Sequence, residues 1–241
     1  MKKKILRIAL VLVLVGGILA AIGWALGGHT GLYWERGGLR TGPAAVRYEI
    51  SENLDPFSTI DLTLGVGNVT LRQGESFRIT GQHYGPIEYA VVDGHLLVYT
   101  PRHNTISFLR FRGGDSHITI TVPSGTALQD VQLTLGVGNL RLERLELQGA
   151  SLTSGVGNVY AQGLFTGNIS ADSGTGNVTL QLLSAREDVS YSITAGVGNI
   201  TLNGQRQGGA MGNSLSRTAE NPTASLLLNA GVGNVAITFS D

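Results

Sequence analysis

The chain has 241 residues, 42% of them apolar, 6% aromatic and 35 of them glycine. That is long enough for one or two domains with a real core and too apolar for a disordered chain. It has no cysteine, which excludes disulfides, thiol nucleophiles and cysteine-ligated zinc. Net charge is zero, and setting Lys2, Lys3, Lys4 and Arg7 aside leaves 13 arginines against 17 acidic residues, about −4, with no basic footprint for nucleic acid.

In chain order, the first predicted element is a membrane span. Ile8 to Leu26 is a run of 19 uncharged residues, which at 1.5 Å per residue matches a hydrocarbon core of roughly 30 Å. Lys2, Lys3, Lys4 and Arg7 precede it, so the positive-inside rule places the N-terminus in the cytoplasm and the rest outside. A cleaved signal peptide is the rival, but Ala21-Ile22-Gly23 and Ala25-Leu26-Gly27 are poor cleavage sites and the apolar run is long for one. A buried core helix is a third reading. Residues 1–28 are thus expected to be a cytoplasmic stub and single-pass anchor, and residues 29–57, broken by glycines and Gly42-Pro43, a juxtamembrane linker.

Residues 58–241 are expected to be an all-β solenoid of short stacked strands. Six copies of one phrase recur, starting at Gly65, Gly136, Gly155, Gly174, Gly196 and Gly231. Five and three positions before each first glycine, and four and six after it, the residue is apolar in every copy. In the second copy these are Val131, Leu133, Leu140 and Leu142. The pattern reads strand, sharp Gly-x-Gly-Asn corner, strand, and a period near 20 residues built this way predicts stacked coils that share one core. Between about 73 and 127 the repeat is suspended by a predicted hairpin insertion. Ile87–Val92 and His95–Tyr99 flank Asp93-Gly94 there, and Ile106–Arg112 and His117–Val122 flank Gly113–Ser116. Residues 204–224, polar and turn-rich, are expected to be a loop protruding from the stack.

The corner glycines (Gly65, Gly67, Gly136, Gly138, Gly155, Gly157, Gly174, Gly176, Gly196, Gly198, Gly231, Gly233) supply sharp turns and close backbone approach. Asn68, Asn139, Asn158, Asn177, Asn199 and Asn234 are expected to stack as an amide ladder, with Asn234, from the last copy, at its end. Three functional readings of the phrase compete with this structural one. A phosphate loop needs a Lys-Ser/Thr or a third glycine opening a helix, and here a strand continues. A calcium β-roll needs a carboxylate where Val69, Leu140, Val159, Val178, Ile200 and Val235 stand. A flat array for a regular surface has Thr63, Thr134, Thr153 and Thr194 in its favour, and Asp172 and Asn229 against it.

Catalytic signals are sparse. Gly114-Asp115-Ser116-His117 has the outline of a serine-hydrolase block but falls in a predicted turn. His83, His95, His103 and His117 fit no metal-ligand spacing. The acids between 130 and 204 (Asp130, Glu143, Glu146, Asp172, Glu187 and Asp188) do not repeat from coil to coil, as a lyase site would require. No catalytic residue, cofactor or metal is therefore expected.

Four features together resemble the bacterial cell-surface family named "putative adhesin": the anchor, the stretch GLYWERGGL, the phrase ITITVP at Ile118–Pro123, and the GxGN copies. The resemblance covers essentially the whole chain. It implies a non-enzymatic, membrane-anchored binding or adhesion module outside the cytoplasm, whose partner is an unidentified envelope component or membrane protein. The family's association with envelope-stress systems gives an alternative, an accessory or sensor that binds another membrane protein. A carbohydrate-active β-helix enzyme is a distant third.

Overall fold

The computed structural model describes residues 32–35, 38–41, 47–101, 116–209 and 211–240. The expected membrane span Ile8–Leu26 and its flanking charges lie outside the described residues, as does Ile106–Arg112. Two units are distinguished. The first is described by one antiparallel hairpin, β1 (Leu32–Glu35) with β2 (Gly38–Thr41).

The second unit is all-β. Its strands are β3 (Arg47–Asn53), β4 (Thr59–Val66), β5 (Asn68–Gly74), β6 (Arg78–Tyr84), β7 (Glu88–Val92), β8 (His95–Tyr99) and β9 (His117–Pro123). Then come β10 (Ala127–Leu128), β11 (Asp130–Val137), the long bent strands β12 (Leu140–Val156) and β13 (Val159–Thr175), and β14 (Val178–Leu182). After a 3-10 turn at Arg186–Asp188 follow β15 (Val189–Val197), β16 (Ile200–Leu202), β17 (Gln205–Gln207), β18 (Met211–Arg217), β19 (Ala224–Val232) and β20 (Val235–Phe239).

The repeat phrase sets the coil. β11 alternates exposed and buried along its length, as period-two patterning requires, and every apolar residue at the four repeat positions is buried. Successive copies stack in parallel and in register. One interior row runs Val98, Leu62, Leu133, Leu152, Ala171, Leu228, Ile193. Beyond the corner a second runs Ile118, Val69, Leu140, Val159, Val178, Val235, Ile200. Each buried aliphatic side chain contributes about 1.5–3 kcal/mol, and no coil can bury its own face without a neighbour.

The order in space differs from the order in sequence. The copy at Gly231 (β19–β20) inserts between the copy at Gly174 (β13–β14) and the copy at Gly196 (β15–β16), pairing in parallel with both. The fifth copy, not the sixth, therefore ends the stack. Residues 204–224 are not a loop outside it. β18 runs antiparallel along β15, and β17 along β16, so this stretch covers the edge of the last coil. Its polar composition is that of a covering edge strand, exposed on one side.

The other end is built alike. Two strands of the expected insertion belong to the stack, because β8 lies parallel to β4 and β9 parallel to β5 as one further coil. The antiparallel strands β7 and β6 cover that coil. The β7–β8 turn has φ of 50° at Asp93 and 76° at Gly94, the two positive values of a tight hairpin turn. Outside β6 lies β3, within the stretch expected to be linker. Its only buried residue is Ile50, too faint an alternation to read as a strand.

Candidate functional site

Two surfaces carry the features singled out from the sequence, the corner and the broad face just before it. At the corner the second glycine has φ near 147°, a region closed to most side chains. A Cβ on Gly138 would sit 1.8 Å from the carbonyl oxygen of Gly67 in the next coil. The two backbones thus approach as closely as glycine permits.

That approach leaves the asparagine N–H without a ladder carbonyl, and the preceding coil's side chain takes its place. Asn139 donates to Asn68 Oδ1 through both its backbone N (3.0 Å) and its Nδ2 (2.8 Å). The same pair of bonds joins Asn158 to Asn139, Asn177 to Asn158, Asn234 to Asn177 and Asn199 to Asn234. At one end Asn68 N donates to the Ser116 carbonyl, which stands in for a further amide. At the other end Asn199 Oδ1 is buried without a hydrogen-bond partner. The run of amides is continuous through Asn234, and Asn199 is its terminus.

Several supporting groups escape a sequence reading. Ser154 Oγ donates to Gly138 O and Ser173 Oγ to Gly157 O, both at 2.8 Å. They occupy the inward position that Leu64 and Leu135 hold elsewhere, so the exchange of leucine for serine was the available signal. Buried Asn213, on β18, donates to Gly198 O at 2.8 Å and closes the last corner. Buried His83, on β6, closes the first, with Nε2 3.1 Å from Val66 O and Nδ1 3.2 Å from Gly85 O. Neither lies in a repeat, so neither carries a local signal.

The broad face is made by β8, β4, β11, the ends of β12 and β13, then β19, β15 and β18. One outward row reads Tyr99, Thr63, Thr134, Thr153, Asp172, Asn229, Thr194, Ser214. At about 4.8 Å per strand it spans roughly 34 Å. Three threonines are adjacent, and the two residues that depart from the pattern are bonded to each other, Asn229 Nδ2 to Asp172 Oδ1 at 2.7 Å. Near one end an open groove of about 370 Å³ is lined by Thr59, Asp61, Asp93, His95, Asp130 and Gln132.

The electrostatics of these surfaces are mild. The Tyr99 phenol is pushed up chiefly by its hydrogen bond to Glu88, and the Tyr89 phenol by burial and a hydrogen bond to Glu52. Both shifts favour the neutral phenol, the opposite of nucleophile activation. Ser116 is buried and accepts from Tyr84 N. Among the described residues no group of three or more acids and histidines is placed to hold a metal ion.

The chain belongs to the Toastrack DUF4097 family, which matches residues 57–240. The fold is similar to a crystal structure of a "putative cell adhesion protein" from Clostridium sporogenes. That chain is 20% identical, with a TM-score of 0.60, over 81% of this chain and all of the other. A "putative adhesin" from Bacteroides fragilis is 20% identical over 81% of this chain and 98% of its own, with a TM-score of 0.40. None of the curated proteins matches the chain.

Proposed function

We propose that the chain is a non-enzymatic binding module of the bacterial cell envelope. The segment Ile8–Leu26 holds it in the membrane, and the stack of coils stands outside the cytoplasm. The observation that carries this reading is the broad face. Its outward row is an in-register array of Thr, Ser, Asn and Asp side chains across seven strands, with Tyr99 on the eighth. Such a face makes many equivalent polar contacts with an extended surface and concentrates no chemistry on one bond. The adhesion wording attached to the Clostridium sporogenes relative agrees with it.

Two measurements test the reading together. Reporter fusions after Pro43 are expected to be active outside the cytoplasm, and cytoplasmic activity overturns the topology. The purified chain is expected to co-sediment with cell-envelope fragments and to leave their glycans uncut. Release of soluble glycan would make it an enzyme.

A further inference from the structure

The residue between the two glycines forms a row of its own. Pairing by pairing it runs Val66, Val137, Val156, Thr175, Val232, Val197, and ends on Met211 of β18. The five valines are 42–52% exposed and Met211 75%. Isolated exposed aliphatics are ordinary, but a contiguous apolar row is not. The backbone does not demand valine, because Thr175 fills the same position in the fourth copy with the same shape and one methyl exchanged for a hydroxyl. In the six copies the row is flanked on both sides by glycines, and the first glycine of every copy is exposed. The side chains therefore stand up as a rib beside a bare furrow.

We propose that this rib is a homodimer interface, in which the rib of one copy seats in the glycine furrow of a second copy of the same chain. Three arguments select a second copy as the occupant. The rib repeats every 4.8 Å or so because stacked strands do, and only another such stack offers the same period over seven rows. Rib and furrow lie side by side, so the surface is self-complementary, as an isologous two-fold contact requires. No residue of the rib or furrow is charged, so two copies meet no like-charge repulsion there. Meshing two ribs of this length would bury on the order of 1,000 Å² in total, the size at which specific interfaces begin. A two-fold axis running parallel to the rib, between rib and furrow, seats each rib in the partner's furrow and sets every row beside its own mate, so Thr175, the central row of the seven, lies beside Thr175 of the second copy.

The test uses the full-length chain, whose lack of cysteine gives a clean background. Thr175→Cys is expected to form a disulfide-linked dimer under mild oxidation. Leu227→Cys, half exposed on the broad face, is expected to form little. In light scattering after size exclusion, the unmodified chain is expected to dimerise with increasing concentration. The triple variant V137T/V156T/V232T, built on the precedent of Thr175, should weaken the dimer tenfold or more with its melting temperature unchanged. A monomer at 100 µM overturns the proposal. So does a dimer that the three threonines leave intact, or cross-linking at position 175 no better than at 227.

Discussion

Single residues in this fold matter by their place in the stack, not by their type. Gly136 and Gly65 hold the same position in adjacent copies, yet a Cβ on Gly136 would lie 2.5 Å from the Gly65 carbonyl oxygen, while one on Gly65 meets nothing within 4 Å. Gly136→Ala is therefore expected to lower the urea midpoint markedly, by about 1–3 kcal/mol of strain, and Gly65→Ala to leave it nearly unchanged. The amide ladder follows the same logic. Removing Asn158 or Asn234 strips the acceptor from the next coil's N–H and amide, at a net cost of about 1 kcal/mol for solvent-accessible bonds. Asn199 has no such dependant, so Asn199→Ala is expected to cost less than either. Chemical denaturation of the three alanine variants checks the order. A smaller loss at Asn234 than at Asn199 would place the sixth copy at the end of the stack after all.

At the scale of elements, the repeat made strands and corners legible, because four apolar positions and two glycines recur with fixed spacing. The stacking order was not legible. All six copies present the same pattern, so nothing local says that β19 lies against β13 and not beyond β15. The covering strands were missed for a related reason. β17 and β18 are polar because one side of each faces water, which in sequence is hard to tell from a loop. They nonetheless carry weight. Shortening residues 204–217 to a turn would leave β15 from Tyr191 to Val197 as an unpaired edge, and such edges template aggregation. The shortened chain is expected to be less soluble and to expose the β15 amides in hydrogen exchange. A variant as soluble and as protected as the parent would show that the stack closes itself without this cover.

At the scale of the molecule, the stack is a device for turning a short repeat into long parallel rows. Inward rows make the core. One outward row at the corner makes an amide ladder, another an apolar rib, and the rows before it a flat polar face. The candidate face was partly legible, since the threonines recur two places before the first glycine. The sequence order already sets Thr63, Thr134 and Thr153 side by side, as successive copies, but it hid that Asp172 and Asn229 are neighbours. The most direct test of the binding role is co-sedimentation of cell-envelope fragments with the double variant T134E/T153E, which places two charges in the middle of the face. We expect at least a tenfold loss of binding with the unfolding midpoint retained. Binding equal to that of the unmodified chain would contradict the assignment of this face.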